Sequence, residues 1–373
     1  MSGELLLTGA TGFVGMEVLE RYLERTDRRV IAPVRAPDDA AAAERVRGTL
    51  RGLFGLRSGR YERRVEAVAA DLCTPGLGLP DARREEIACR VDQIIHAAAS
   101  VSFELPLSEA RAINVEGTRR ILELAELAHA CGGLERYAHV STAYVAGTHA
   151  GRFDESDYDV DQSFRNSYEQ SKFEAEALVR SRPELPTTIL RPSIVVGDQR
   201  SGWTAAFNVL YWPLRAFARG LYPAVPAIPS SPVDAVSIDY VADAIYELCR
   251  SDAGIGEVYH LTAGRQASSV GELVQIASRY FKRPPPQVLP PEEFAEFTKG
   301  ITGVQRSALG RSAVYFPYFA VSTEFDDTQA RARLEPAGIT ASPLASYLDR
   351  LLDFATLSRW GKRPIARAEA FAA

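Results

Sequence analysis

The chain has 373 residues and a formal net charge of −5 at neutral pH. This length is enough to bury a large core and to divide it between two lobes, and the acidic balance gives no reason to expect a nucleic acid partner. No uninterrupted apolar run reaches the about 18 residues that a membrane span needs, and no basic segment or cleavage site precedes the first predicted strand. These features predict a cytoplasmic protein without a membrane span.

The first predicted strand leads into a cluster of glycines and then into a helical pattern. In LLLTGATGFVGMEVLE, residues 5–20, Gly9, Gly12 and Gly15 stand three residues apart at this junction. Glycines permit a tight turn, close approach to a ligand and close helix packing, and the N-terminus of the new helix attracts anions. The spacing differs from the commoner G-x-G-x-x-G fingerprint, and a plain strand-to-helix turn is the alternative interpretation. The pattern favours a site for the phosphates of a nucleotide.

The residue after the second predicted strand indicates which nucleotide is bound. Apolar residues 30–34 are followed by Arg35, about 20 positions beyond the glycines, where an acid would bind an unmodified ribose and an arginine a 2′-phosphate. Arg45, on the next predicted helix, is a second candidate for the same phosphate. The alternative interpretation is that each arginine is an ordinary solvated surface residue. The pattern predicts NADPH as the cofactor.

The four cysteines are Cys73, Cys89, Cys131 and Cys249, which lie far apart without a C-x-x-C pair. This spacing argues against a zinc site and against a disulfide framework. We expect buried apolar cysteines and no metal.

Strands and helices alternate along the first half of the chain. The pattern recurs in residues 64–72, 91–99, 113–132, 135–147, 171–181 and 187–197. It predicts an α/β fold, a doubly wound Rossmann-type parallel sheet with helices on both faces. Aromatic residues and prolines become frequent after Gly197, so we expect an NADP-binding domain over residues 1–197 and mainly a smaller substrate-binding lobe over residues 198–373. Residues 232–264 predict a helix and a strand that return to the sheet, which would interleave the lobes.

Two segments carry residues suited to proton transfer. Tyr168 and Lys172 are spaced i, i+4, which places both side chains on one face of a helix. A phenol has an ordinary pKa of about 10, and a neighbouring ammonium is expected to lower it towards neutrality. Ser141 and Thr142 end a predicted strand at the carboxyl edge of the sheet, where ligands bind in such folds.

In combination these motifs resemble the extended short-chain dehydrogenases/reductases. The matching segments are TGATGFVG (8–15), Asp71-Leu72, HAAA (96–99), NVEGT (114–118), VSTAYVAG (140–147), Tyr168 with Lys172, and RPSIVVG (191–197). The resemblance implies that Asp71 and Leu72 flank the adenine and that Ala97 and Ala98 line the cofactor channel. It also implies that Lys172 holds the nicotinamide ribose.

The predicted site follows from the motifs and the resemblance together. Thr142 rather than Ser141 takes the place of the family's catalytic hydroxyl, so the catalytic residues are expected to be Thr142, Tyr168 and Lys172. The expected cofactor-binding residues are Gly9, Thr11, Gly12, Phe13, Gly15, Arg35, Arg45, Asp71, Leu72, Ala97, Ala98, Asn114, Ser141, Tyr168, Lys172 and Pro192.

Within that family the chain looks most like the thioester reductases, which include the terminal reductase domains of peptide and polyketide assembly lines, the reductase part of carboxylic acid reductases, and fatty acyl reductases. The resemblance rests on residues 34–46, 71–81, 94–118 and 233–245. It implies reduction of an acyl thioester, bound to coenzyme A or to an acyl carrier protein, to an aldehyde and in some members on to the alcohol. The chain shows no adenylation or carrier domain, so we expect a free-standing enzyme.

Alternative functions and roles stay open at this point. The chain is alternatively a reductase of a ketone, steroid or nucleotide sugar, or a binding module that senses NADPH without turnover. The aromatic and aliphatic residues 203–229 fit either lobe core or the apolar wall of an acyl-chain pocket. The arginine-rich residues 45–64 fit a solvated surface better than a dock for coenzyme A phosphates or an acidic carrier protein.

Overall fold

The computed structural model describes residues 3–250 and 254–371. Within them the strands are β1 (Glu4–Thr8), β2 (Val30–Val34), β3 (Val65–Ala69), β4 (Val91–His96), β5 (Arg136–Val140), β6 (Gly151–Phe153), β7 (Thr187–Pro192), β8 (Ile194–Val196), β9 (Ala224–Pro226), β10 (Pro232–Val233), β11 (Ala235–Ser237), β12 (Val258–Leu261), β13 (Ser268–Ser269), β14 (Gln287–Leu289) and β15 (Thr323–Phe325). The helices are α1 (Phe13–Arg25), α2 (Asp39–Phe54), α3 (Asp81–Arg90), α4 (Leu107–Ala130), α5 (Ser167–Arg180), α6 (Tyr211–Ala218), α7 (Ile238–Cys249), α8 (Val270–Phe281), α9 (Pro291–Phe297), α10 (Gly303–Ser312), α11 (Thr328–Leu334), α12 (Leu348–Leu357) and α13 (Arg367–Ala370).

Seven parallel strands form the main sheet, in the order β3-β2-β1-β4-β5-β7-β12. Successive side chains of a strand point to opposite faces, so Leu5 and Leu7 pack beneath α1, α2 and α7, whereas Leu6 packs beneath α3, α4 and α5. The predicted doubly wound α/β fold is confirmed. The strand order reverses between β1 and β4, and ligands bind at such a reversal, outside the carboxyl ends of the strands.

The smaller lobe is interleaved with the sheet, as the sequence predicts. Its core is an apolar cluster built largely from α6, α8 and α12. Helix α7 returns to pack on α1, and β12 pairs with β7 at the edge of the main sheet. Residues 187–197 form two strands instead of one: β7 ends at Pro192, which has no N–H to continue a ladder, and β8 pairs with β11.

The expectation that the cysteines are buried and unbonded is wrong for three of them. Cys89, at the end of α3, forms a disulfide with Cys131, which follows α4; their Cα atoms lie 5.4 Å apart. The two helices pack side by side, so residues distant in sequence meet. Cys73 is exposed, and Cys249 is buried as expected.

None of the helices in residues 3–250 and 254–371 is long and apolar enough to cross a membrane.

Three buried histidines lie in the sheet. His96 and His139 are register partners on β4 and β5, with ring centroids 5.5 Å apart, and His96 Nδ1 lies 2.7 Å from Thr8 Oγ1. Burial lowers the pKa of His96 to about 3, and it also lowers the pKa of His139, with the Lys172 charge acting in the same direction. Burial and the charge of Arg191 lower the pKa of His260, on β12, to about 3. These rings stay neutral in the folded chain at mildly acid pH.

Stability is therefore expected to fall as the pH falls below about 6.5, the ordinary histidine pKa. Below that pH the unfolded chain binds protons that the folded chain excludes, down to about 3 for His96 and His260, and each buried histidine adds up to about 1.4 kcal/mol of lost stability per pH unit while it stays neutral. Urea unfolding at a series of pH values measures the slope. His139→Leu should make it shallower, whereas His129→Leu, at an exposed position on α4, serves as the control. An unchanged slope in His139→Leu would contradict this account.

Candidate active site

A cleft of about 650 Å³ opens at the carboxyl ends of the main-sheet strands. The predicted residues that line it are Gly9, Thr11, Gly12, Phe13, Gly15, Arg35, Arg45, Asp71, Leu72, Ala97, Ala98, Ser141, Tyr168, Lys172 and Pro192. Thr142 and Asn114 are the two predicted residues that do not line it. The fold thus brings residues from six strand ends and three helices to one space.

The glycine loop forms part of the wall of the cleft. Gly9 has a φ of +74°, and a Cβ there would lie 2.8 Å from the backbone nitrogen of Ala98, so this turn requires glycine. A Cβ on Gly15 would collide with the Gly9 carbonyl, which keeps α1 close to β1. Gly12 is exposed and precedes α1 without a side-chain cap, so the first N–H groups of the helix stay free to bind an anion.

Arg35 and Arg45 lie together in the wall of the cleft. Arg35 is exposed directly after β2, and the guanidinium of Arg45, on α2, donates to its backbone carbonyl. Asp38 caps α2 by accepting from the Ala41 N–H at 2.8 Å, which fixes the start of that helix. Two neighbouring cations in the wall of a dinucleotide-sized cleft suit a phosphate.

Tyr168 and Lys172 face the cleft from the first turns of α5. Asn166 caps this helix by accepting from the Glu169 N–H at 3.0 Å. Lys172 Nζ donates to the Val140 carbonyl at 2.8 Å, at the end of β5. Thr142 follows that strand; its hydroxyl donates to the Pro192 carbonyl at 3.3 Å and accepts from the Tyr144 N–H at 3.3 Å, and it acts to lower the pKa of Tyr168. Tyr168 and Lys172 thus face the cleft together, and Thr142 lies beside Tyr168 without lining the cleft.

The pKa of Tyr168 differs from the expectation. Burial raises it to about 12, with Thr142 acting to lower it and Glu169 to raise it; Lys172 is not among the causes. Burial lowers the pKa of Lys172 to about 8, against the attraction of Glu176. The expected lowering of the Tyr168 pKa by the lysine is therefore wrong for the free protein, because loss of solvent outweighs the effect of a neighbouring charge. Tyr168 is a neutral phenol at neutral pH.

Ser141 lines the cleft, but its hydroxyl is directed away from Tyr168. It donates to the Glu176 carboxylate at 2.7 Å, and that carboxylate pairs with Arg191 at 2.6 Å. Both partners are fully buried. Sequence reasoning missed this ion pair, although Glu176 lies one helical turn after Lys172. The pair therefore holds the Ser141 hydroxyl, whereas the Thr142 hydroxyl has the Pro192 carbonyl as its acceptor.

Asn114 lies behind the cleft. Its side chain accepts from the Ser100 N–H at 2.8 Å and donates to the Ser100 carbonyl at 3.1 Å and to the Ser171 hydroxyl at 2.9 Å. It thus joins α4 and α5 to a loop that does line the cleft.

Aromatic rings form the wall next to Tyr168, and sequence reasoning missed them. The Phe103 ring lies 5.7 Å from the Tyr168 ring and stacks on Tyr318 at 5.2 Å. The Tyr318 hydroxyl donates to Glu169 at 2.6 Å, which ties residues 316–319 to the start of α5. The site therefore combines the Rossmann half with a segment from near the end of the chain.

The arginines of residues 45–64 mostly have partners. Arg47 and Arg51 pair with Glu44, and Arg64 donates to the carbonyls of Leu23 and Thr26 at the end of α1. This arrangement fits a solvated, internally paired surface.

Comparisons with known proteins identify the family of the chain. The family model described as male sterility protein, an NAD-binding family, matches residues 7–245. The isonitrile lipopeptide synthase of Streptomyces coeruleorubidus is 36% identical over 214 residues, which cover 57% of this chain and 14% of that protein. The glycine betaine reductase of Emericella nidulans is 32% identical over 268 residues, 69% of this chain and 21% of that protein. The chain spans about a fifth or less of the length of these two relatives.

A solved structure matches nearly the whole chain. The terminal R domain from the myxalamid PKS-NRPS biosynthetic pathway superposes with a TM-score of 0.82 at 28% identity, covering 98% of this chain and 93% of that domain. The family match spans the glycine loop, Thr142, Tyr168 and Lys172. The chain belongs to the NAD-binding male sterility protein family, in the thioester reductase branch of the extended short-chain dehydrogenases/reductases.

Proposed function

We propose that the chain is an NADPH-dependent reductase that converts an acyl thioester to an aldehyde. The observation that carries the proposal is the meeting of Tyr168 and Lys172 with the glycine loop in one cleft, with Thr142 beside Tyr168. The relatives named above support the thioester as substrate, because they include a reductase and the terminal R domain of an assembly line.

The residues of the cleft fit a dinucleotide. The open N-terminus of α1 would receive the pyrophosphate, and Arg35 and Arg45 the 2′-phosphate. Asp71 and Leu72 would flank the adenine, and Ala97, Ala98 and Pro192 would line the channel to the nicotinamide. Lys172, as an ammonium, would donate to the nicotinamide ribose. We assign cofactor binding to residues 1–197 and substrate binding mainly to residues 198–373.

A reduced nicotinamide, when bound, supplies the hydride for the thioester carbonyl. Tyr168 and Thr142 hydrogen-bond the oxygen on which negative charge develops, and Tyr168 gives it a proton. The product of this step is a hemithioacetal, which expels the thiol and leaves the aldehyde. A phenol whose pKa burial raises to about 12 is fully protonated at neutral pH, so it starts the reaction as a donor.

Product identification tests the proposal. The protein is incubated with NADPH and a panel of acyl thioesters, on coenzyme A and on a carrier protein, and with ketones as the competing substrate class. Aldehyde or alcohol together with free thiol is the expected outcome, and the better donor identifies the partner. Turnover of ketones alone would overturn the proposal.

NADPH should be preferred over NADH because Arg35 faces the expected position of the 2′-phosphate. One charge-assisted contact is worth about 10-fold to 100-fold in kcat/KM. Arg35→Asp should reduce or reverse the preference, since a carboxylate repels the phosphate and bonds ribose hydroxyls. Steady-state kinetics with both cofactors measures this. Arg51→Asp is the control, because Arg51 is exposed and pairs with Glu44. Equal kcat/KM for both cofactors in the unmodified protein would refute the assignment.

A further inference from the structure

The outward side of α6 is basic and carries an exposed tryptophan. Trp212, Arg215 and Arg219 are spaced three and four residues apart, which places their side chains on one side of the helix. The opposite side of α6 packs into the core of the smaller lobe. The Trp212 ring is 41% exposed, and the Arg215 guanidinium lies 5.7 Å from its centroid. The helix therefore presents charge and one large ring to the solvent.

Two further arginines extend this side of the lobe. Arg311 is exposed near the end of α10, which packs on α6. Arg283 is exposed just after α8, and its guanidinium donates to the Ala218 carbonyl at the end of α6, at 2.8 Å. We call the surface that these side chains form the basic face: Arg215, Arg219, Arg283 and Arg311.

The basic face has no acid to balance it. Residues 199–233 and 297–323, which include α6 and α10, contain six cations and no Asp or Glu, in a chain whose formal net charge is −5. Within the part of the chain that the structure describes, no carboxylate forms an ion pair with an arginine of the basic face. Burial lowers the pKa of Arg215, and the charges of Arg219 and Arg311 act in the same direction. These like charges repel one another, so the basic face would attract an acidic partner.

The basic face borders the part of the cleft wall that the smaller lobe contributes. Val209 lines the cleft two residues before α6 begins, and Arg215 lies about 6 Å along the axis of that helix. Tyr318 lines the cleft seven residues after Arg311 and stacks on Phe103, whose ring is next to that of Tyr168. A partner bound to the basic face would therefore stand beside the opening of the cleft.

We propose that the basic face is the docking surface for an acidic acyl carrier protein, which presents its thioester to the cleft. The inference rests on the proposed function and names the donor as a carrier protein rather than free coenzyme A. Tryptophan and arginine are enriched at protein interfaces. Charges that extend over α6, α10 and the end of α8 match the surface of a protein better than a single phosphate group. Attraction between opposite charges also raises the rate of association.

Reversal of charge tests the docking surface. Arg219→Glu/Arg311→Glu should lower kcat/KM for a thioester on an acidic acyl carrier protein by about 10-fold to 100-fold, mainly through KM, because both carboxylates repel the partner. The same acyl group on pantetheine should be reduced with unchanged kcat/KM, since this substrate has no protein to dock. Arg60→Glu/Arg63→Glu is the matched control, because it makes the same change of net charge at two exposed arginines of the Rossmann half.

The dependence on ionic strength tests the same contact in the unmodified protein, so the inference stays testable if the double variant does not fold. At saturating NADPH, kcat/KM for the carrier thioester should fall as salt is added, because screening weakens attraction between exposed charges. The value for the pantetheine thioester should change little. Fluorescence anisotropy of a labelled carrier protein bearing its pantetheine arm, with NADP⁺ present, measures docking without turnover. A salt dependence that is no steeper for the carrier thioester than for the pantetheine thioester would overturn the inference.

The outcomes separate the two proposals. Unchanged kcat/KM for the carrier thioester in Arg219→Glu/Arg311→Glu refutes docking at the basic face and leaves thioester reduction standing. Absence of turnover with every thioester refutes the proposed function, whereas carrier binding that this variant abolishes would still support the docking surface. A loss confined to coenzyme A thioesters would assign the basic face to the phosphates of coenzyme A and overturn the inference. An equal loss with the pantetheine thioester, or in Arg60→Glu/Arg63→Glu, would also overturn it, because neither involves the proposed contact.

Discussion

Replacing Tyr168 by phenylalanine is expected to lower kcat for thioester reduction by about 100-fold to 10,000-fold, the range for a positioned general acid. The phenol is a neutral donor at neutral pH, because burial raises its pKa to about 12. Thr142 remains in the variant and retains part of the stabilisation of the oxyanion. The loss should fall on kcat more than on KM, because the hydroxyl binds the developing charge more strongly than the ground-state carbonyl. Pre-steady-state and steady-state kinetics with NADPH measure the effect.

Two controls accompany the Tyr168→Phe variant. One measures the affinity for NADPH, and the other removes a tyrosine hydroxyl from a neighbouring ring. NADPH affinity, measured by fluorescence titration, should be largely retained. Tyr315→Phe removes the same hydroxyl from a neighbouring ring that contacts Phe103 at 5.8 Å without lining the cleft, and it should leave kcat nearly unchanged. A Tyr168→Phe protein that reduces thioesters at nearly the unmodified rate would mean that water or another group supplies the proton.

The local features of the fold and site were predictable from sequence. A strand, three glycines and a helix in direct succession form the loop that lines the cleft. This loop was predictable because its conformation depends on residues that are close in sequence. The i, i+4 spacing of Tyr168 and Lys172 places both on one helix face in the same way. The alternation of strands and helices was enough to predict the parallel sheet.

Features that depend on distant contacts were not predictable. Ser141 and Thr142 are adjacent hydroxyls, and only Ser141 bonds the Glu176–Arg191 pair, which it meets only in the folded chain. The pKa of Tyr168 reflects burial that the spacing to Lys172 does not reveal. Tyr318 reaches the site from 150 residues beyond Tyr168, and the disulfide joins helix ends that only packing brings together.

The buried Arg191 joins several parts of the fold beneath the active site. Its guanidinium binds both carboxylate oxygens of Glu176, at 2.6 and 3.1 Å, and donates to the Asp157 carbonyl at 2.9 Å. It also contacts His260 Nε2 at 3.1 Å. Burial alone would raise the pKa of Glu176, but Arg191 reverses this and keeps the carboxyl ionised. The charge of Glu176 in turn raises the pKa of Lys172 against the effect of burial.

Arg191→Met is expected to destabilise the protein by about 3–5 kcal/mol, the usual cost of leaving one partner of a buried ion pair unmatched. Urea unfolding at pH 7 measures the loss. Arg119→Met removes an exposed partner of Glu116 and should cost at most about 1 kcal/mol. If Arg191→Met lost as little stability as Arg119→Met, Arg180 and Ser141 would be sufficient partners for the Glu176 carboxylate.

The double variant Arg191→Met/Glu176→Leu separates stability from function. Replacing both charges with apolar groups should recover most of the lost stability, because neither partner is left buried alone. The pH profile should not recover, since Lys172 loses the negative charge that holds its pKa up to about 8. The Lys172 ammonium then loses its proton at a lower pH. As the pH is raised, kcat/KM for NADPH should therefore begin to fall at a lower pH than in the unmodified protein. A double variant with normal stability and an unshifted profile would show that the ion pair serves folding alone; a shifted profile would show that it keeps Lys172 charged while the reductase works.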